Sequence, residues 1–146
     1  METNLDKFAE ELQEEIVEEI KKDYSKTVID HWMHPRNWGI LSDADGYGKL
    51  TGPCGDTMEV CFKIKEGKII DAGFNTDGCG TAIVCGSMTT ELILGKTFNE
   101  IRDVTQETIL QALGGLPEAN RHCALLAANT LHKAVKNYEQ KRRDEK

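Results

Sequence analysis

Thr57-Met-Glu-Val-Cys-Phe-Lys-Ile-Lys65 and Lys68-Ile-Ile-Asp-Ala-Gly-Phe74, separated by Glu66-Gly67, decide the fold. Met58, Val60, Phe62 and Ile64 fall on alternate positions, the period of a strand with one buried face. Glu66-Gly67 is a two-residue reversal, and beyond it Ile70, Ala72 and Phe74 alternate again. The reading is an antiparallel hairpin with one apolar face, which helices must cover. Tyr47–Thr51 supplies a short third strand upstream.

The covering helices lie mostly downstream. Thr81–Leu94 reads as a helix opened by the turn Gly78-Cys79-Gly80 and closed by Gly95. Thr97 and Glu100 form a capping box for a short helix, each satisfying a free backbone donor of the other. A further helix runs from about Gln106 to Leu113 and stops at Gly114-Gly115. The last, about residues 121–141, places Ala124, Ala128, Leu131, Val135 and Tyr138 on one face, ahead of a polar tail at 142–146 that is expected to fray. Upstream, Asp23 and Ser25 offer caps for a helix over about 25–34, ended by Pro35. The fold class is α+β, a three-stranded antiparallel sheet covered by helices, with its main domain over residues 24–141.

Residues 1–23 stand apart. Leu5, Phe8, Leu12, Ile16 and Ile20 repeat at three and four residues, so this stretch reads as an added amphipathic N-terminal helix. It could cover the domain, join a second subunit or fray. Nine acidic side chains against three lysines give it −6 of the net −7, which leaves −1 for the other 123 residues. A near-neutral body with an acidic arm argues against nucleic acid, whose phosphates attract basic surfaces. No apolar run approaches the roughly 20 residues of a membrane span, and the first residues lack the order of a signal peptide. The expected location is cytoplasmic.

Five cysteines, an odd number, do not suggest a disulfide framework in such a setting. Three of them stand at element boundaries beside glycine or histidine: Cys54 in Gly52-Pro-Cys-Gly-Asp56, Cys79 in Asp77-Gly-Cys-Gly80, and Cys123 after His122. Cys54 and Asp56 are two apart, which in extended chain points both to one side across a glycine. Cys79 lies at a helix mouth, where free amide donors and the positive dipole end favour a thiolate. Cys123 occupies a similar place on the last helix.

Three thiolates, one carboxylate and one imidazole are therefore five candidate metal ligands: Cys54, Asp56, Cys79, His122 and Cys123. A closed structural zinc site uses four, often with a compact Cys-x-x-Cys pair, and none occurs here. Aspartate is a harder ligand than thiolate, so it loosens the hold on a soft centre. Such a set suits a centre that must be released. Cys61 and Cys85 read as structural or spare, with Cys85 near enough in sequence to back up Cys79. His31, His34 and His132 are not expected to be ligands.

With these residues in view, the chain resembles the iron–sulfur cluster assembly scaffolds of the IscU type, also seen as the amino-terminal domain of NifU. The likeness runs from about Tyr24 to Tyr138 through Tyr24-Ser25, Val28-Ile-Asp-His31, Pro35-Arg-Asn37, Cys54-Gly-Asp56, Phe74-x-Thr76-x-Gly-Cys-Gly80, Gly95-Lys96, Leu116-Pro117 and His122-Cys123. The resemblance implies a SufE/NifU-like sheet with helices on one side. It implies a transient 2Fe–2S cluster on Cys54, Cys79 and Cys123, completed by Asp56 or His122, with Cys123 accepting persulfide sulfur. A cysteine desulfurase, a ferredoxin, a frataxin-like protein and recipient apo-proteins are the partners it implies, and a homodimer is compatible with it. Zinc is a further expected occupant, since thiolates and imidazole bind it readily.

Departures from the family pattern also carry information. The family's chaperone-docking run is present only as Leu116-Pro-Glu-Ala-Asn120, which removes the basis for expecting a dedicated Hsp70-type chaperone. Cys85 falls where serine is usual. The scaffold is not an enzyme; the enzyme-class alternative is a zinc-dependent SufU-type sulfurtransferase. Those relatives carry an insertion between the second and third cysteines and lack a histidine beside the last, whereas here plain helices and His122 are found. A nucleobase-deaminase zinc site is excluded by the lack of His-x-Glu with Pro-Cys-x-x-Cys.

Overall fold

The computed structural model describes Lys7 and residues 24–144. The elements are α1 (Lys26–Met33), β1 (Gly46–Thr51), β2 (Thr57–Lys65), β3 (Lys68–Thr76), α2 (Gly80–Ile93), α3 (Phe98–Ile101), α4 (Gln106–Leu113), a 3-10 turn (Glu118–Asn120) and α5 (Arg121–Asp144). The strands form an antiparallel sheet in the order β1-β2-β3. The amphipathic stretch over 1–23 and the Asp23 cap lie outside the described residues, apart from Lys7.

Alternation on β2 is as read: Met58, Val60 and Phe62 are fully buried, and Ile64 is partly so. Glu66 and Gly67 have φ of 54° and 79°, the left-handed pair that a tight hairpin turn needs. On β3 the reading needs correction. Val60 pairs with Phe74 and Phe62 with Ala72, but Ile64 pairs with Ile69, because the register shifts between Lys63 and Ile64. The extra residue is Ile70, which turns outward and is 49% exposed while Ile69 takes the buried place.

α2 and α5 cover the inner face. Phe62, Phe74, Ile69 and Met58 pack there with Leu131, Ala128 and Val84. A side chain of that size taken fully out of water contributes roughly 1.5–3 kcal/mol. β1 lies so close to α5 that a β-carbon on Gly48 would stand 2.5 Å from the Thr130 carbonyl oxygen. α5 runs on to Asp144, past the expected end near 141, with Lys141, Arg142 and Arg143 in its last turn, where cations complement the helix dipole.

The outer face is not bare. The stretch Asn37–Leu41 crosses it, and the Leu41 amide donates to the Cys61 sulfur at 3.4 Å. Cys61, off the core face by alternation, is thereby fully buried. The same stretch bonds the outer edge of β3, with Gly39 N–H donating to the Phe74 carbonyl at 2.7 Å and Phe74 N–H to that of Asn37 at 3.2 Å. Further along that edge, Ile69 N–H donates to the Lys96 carbonyl and Gly95 N–H to that of Ile69. The outer edge of β1 is met by α5 side chains: Asn137 Oδ1 accepts from Tyr47 N–H, and Lys133 Nζ donates to the Lys49 carbonyl.

Ser25 caps α1 as read, its Oγ accepting from Val28 N–H at 3.1 Å. It also donates to the carbonyl of Leu113, which ties α1 to the end of α4. Thr97 and Glu100 form the expected capping box, and Thr105 with Thr108 forms a second at the start of α4.

Candidate functional site

Three connections meet at one end of the sheet: the β1–β2 turn with Cys54 and Asp56, the β3–α2 junction with Cys79, and the start of α5 with His122 and Cys123. The first is a turn and not the extended chain that residue spacing suggested. Gly55 has φ of 87°, and its N–H donates to the Gly52 carbonyl at 3.0 Å, while Gly52 N–H donates to that of Asp56. A β-carbon on Gly55 would meet nothing within 4 Å, so the glycine serves the left-handed backbone and not space.

The first two connections are bound together. Thr57 N–H donates to Asp77 Oδ1 at 2.7 Å, Thr76 Oγ1 donates to the Thr57 carbonyl at 2.7 Å, and Gly78 N–H donates to Thr76 Oγ1 at 3.0 Å. At Gly78 there is no room for a side chain, since a β-carbon would stand 3.0 Å from Asp56 Oδ2 and 2.8 Å from the Ala82 β-carbon. The Asp56 carboxylate is thus laid against the loop that carries Cys79. Cys79 is the N-cap residue of α2, and its side chain makes no capping hydrogen bond. That leaves the thiol free to meet Cys123, while Cys54 and Cys79 are both exposed.

The third connection is fixed separately. Asn120 Nδ2 donates to the Tyr24 hydroxyl at 2.8 Å, Gln106 Nε2 donates to the Arg121 carbonyl at 3.0 Å, and Arg121 pairs with Glu107 at 3.1 Å. These contacts set the first turn of α5. There His122 Nε2 lies 3.6 Å from Cys123 Sγ. Cys123, unlike the other two thiols, is 1% exposed. Burial pushes its thiol up to about 12, the Cys79 sulfur adds to the shift by charge and by a hydrogen bond, and the charges of Asp56 and Cys54 add less. Both other connections therefore act on Cys123. The helix start does not prevail over burial at this position.

Cys85 is fully buried in the core, and its thiol is pushed well up by burial and by the neighbouring sulfurs of Cys123 and Cys79. His31 and His132 have partners outside this cluster: His31 Nδ1 bonds Ser87 Oγ at 2.7 Å, and His132 Nε2 bonds the Val104 carbonyl at 2.6 Å, while His34 is the C-cap of α1. Arg36 bonds Asp30, so the Asp30-His31 and Pro35-Arg36-Asn37 stretches hold the loop between α1 and β1. Thr76, Asp77, Tyr24 and Asn120 are positioning residues that spacing did not single out. Among the described residues, no three His, Cys, Asp or Glu side chains already stand where they could hold one ion. The donor set fits a soft cation by its chemistry, two exposed thiols with a third thiol, an imidazole and a carboxylate close by.

The family described as NifU-like N terminal domain matches residues 23–145. The chain belongs to that family. Among NifU-like relatives, the iron-sulfur cluster assembly scaffold protein IscU 1 of Archaeoglobus fulgidus is 44% identical over 119 residues, 81% of this chain and 78% of the relative. The iron-sulfur cluster assembly scaffold protein IscU of Aquifex aeolicus is 43% identical over 119 residues, 80% of this chain and 76% of that one. In three dimensions the crystal structure of the N-terminal part of a NifU-like protein from Brucella abortus superposes with a TM-score of 0.66 at 20% identity. It covers 84% of this chain and 98% of that one, and supports the NifU-like fold. No helix among the described residues is long and apolar enough to cross a membrane.

Proposed function

We propose that this chain is a scaffold on which an iron–sulfur cluster is assembled and from which it passes to apo-proteins. The observation that carries the reading is the meeting of three cysteine-bearing connections in a chain 44% identical to a named scaffold. The protein is not an enzyme; the cluster is its cargo, with iron and sulfur delivered to it. A cysteine desulfurase and recipient apo-proteins are the general partners of that role.

The finer reading follows from the ligand chemistry. Cys54, Cys79 and Cys123 hold a 2Fe–2S cluster, with Asp56 or His122 as the remaining ligand and Asp56 loosening the hold. Cys123 is the sulfur acceptor: docking of the desulfurase must expose its thiol and a base of the complex must take its proton, after which the thiolate attacks the outer sulfur of the desulfurase persulfide, the S–S bond there breaks, and the desulfurase thiolate leaves. Its burial protects the new persulfide from water and solutes. Ferredoxin electrons and iron from a frataxin-like donor complete the inputs. Zinc fits the same donors, and free thiols suit a reducing cytoplasm.

The test is anaerobic supply of iron, cysteine and a desulfurase to the full chain. A visible-absorbing centre with acid-labile sulfide in equal amount to iron is expected. A colourless zinc form that instead turns over sulfur to an acceptor would replace this reading with the sulfurtransferase one.

A further inference from the structure

Cys85 is a nucleophile that the cluster chemistry above leaves unused. It stands on α2 six residues beyond Cys79, about 9 Å along the helix axis. Its Cα–Cβ bond leans toward the helix N-terminus, and so toward the end where Cys79 hydrogen-bonds Cys123. α2 and α5 pack on each other in the core, and Cys85 and Cys123 are 0% and 1% exposed in the same apolar cluster. Burial raises the Cys85 thiol most, and the next causes are the sulfurs of Cys123 and then Cys79, so both lie within electrostatic reach. Cys61 is the contrast. Its sulfur accepts from the Leu41 amide and donates to the Gly73 carbonyl, and the charges that reach it are those of Asp71 and Glu59. The Cys85 sulfur has no such bond among the described residues, and the residue falls where serine is usual.

We propose that Cys85 is a second sulfur-holding site, which takes the sulfane sulfur from a persulfide on Cys123 and keeps it in the core. The inference rests on Cys123 being the sulfur acceptor. Cys85 Sγ attacks the outer sulfur of the Cys123 persulfide and a new Sγ–S bond forms there. The bond from that sulfur to Cys123 Sγ breaks, and Cys123 takes the proton that Cys85 gives up. One thiol and one persulfide become one persulfide and one thiol, so the step needs neither oxidant nor reductant. The exchange also creates no net charge in the core, where burial disfavours a lone thiolate. Cys123 is then free for another sulfur. A cluster with two bridging sulfides needs two, and a single acceptor thiol holds one at a time. Cys85 is fully buried, so its sulfur arrives through Cys123 and not from solvent. A serine at this position has no sulfur on which a persulfide can form.

The test loads the metal-free full chain with a cysteine desulfurase and cysteine. Samples are unfolded at successive times in excess iodoacetamide, and peptide fragmentation assigns the mass of an added sulfur to individual cysteines. Sulfur is expected first on Cys123 and later on Cys85, reaching two sulfane sulfurs per chain on these two residues. In Cys85→Ser and Cys85→Ala the sum should fall to one, carried by Cys123. In Cys123→Ser, Cys85 should stay unloaded. An unsubstituted chain that saturates with sulfur on Cys123 and none on Cys85 overturns the proposal and leaves the acceptor reading standing. Loading of Cys85 in Cys123→Ser at the unsubstituted rate also overturns it, because the sulfur then enters by another route. Absence of sulfur from Cys123 throughout the unsubstituted time course overturns the acceptor reading, and this proposal with it.

Discussion

Asp56 Oδ2 lies 3.0 Å from the place a β-carbon would take on Gly78, so the carboxylate rests on the backbone that leads into Cys79. Gly78→Ala must push the carboxylate away, since the Ala82 β-carbon blocks the other direction at 2.8 Å. Removing Asp56 itself, in Asp56→Ala, is expected to slow cluster transfer and oxygen loss on the order of tenfold, the usual size of such ligand-environment effects. Gly78→Ala should move both rates in the same direction by less. Transfer kinetics unchanged in both variants would remove the hard-ligand argument.

The five thiols differ sharply in access. Cys54 and Cys79 are exposed, whereas Cys61, Cys85 and Cys123 are buried. Brief native alkylation with iodoacetamide at neutral pH is expected to label two cysteines, with Cys123 reacting slowly because so little of its thiol is ionised. Peptide mass mapping reads the order. Cys123 labelled as fast as Cys54 would contradict the buried position.

His31 supplies a pH dependence. Burial, with the Arg36 cation adding to it, holds its imidazole below the ordinary 6.5, while Glu91 and Asp30 pull the other way. The unfolded chain thus takes up this proton at higher pH than the folded one. Stability from the neutral His31–Ser87 pair is complete above pH 6.5 and falls as pH drops through the folded value. A urea midpoint lower at pH 5.5 than at pH 7 is expected, with a smaller difference in His31→Asn. Equal differences in the two proteins would assign the effect elsewhere.

Ser25→Ala removes a cap and a link together: the bond accepted from Val28 N–H and the one donated to Leu113. Loss of about 1–2 kcal/mol is expected, the cost of a missing cap with a carbonyl left without its partner. Thermal denaturation should read this as a fall of a few degrees. An unchanged midpoint would mean that water replaces both contacts without cost.

Much of this was legible in the residues themselves. Met58, Val60 and Phe62 announce their strand because burial on one face leaves a period of two. Ile70 misled because a bulge adds a residue to one strand only, and nothing in an isoleucine pair says which of Ile69 and Ile70 turns in. Cys61 was placed correctly off the core face, yet its burial depends on Asn37–Leu41 crossing the sheet, a path with no periodic signal. At the site, Cys54, Cys79 and Cys123 stood out by their glycine and histidine neighbours. The burial of Cys123 did not, because it arises from helix packing between distant segments. Asp77 and Thr76 carry no ligand chemistry that spacing could flag, though their side chains join two of the three connections.

Both margins of the sheet are stoppered: β3 by the backbone of Asn37–Gly39 and Gly95–Lys96, β1 by Asn137 and Lys133. Among the described residues, an arriving extended segment finds both main-chain ladders interrupted, which disfavours strand addition by clients and by other copies alike. Recognition must then run through side chains and loops. A protein that meets many exchange partners gains from this, since nothing in its framework invites a contact that would not let go.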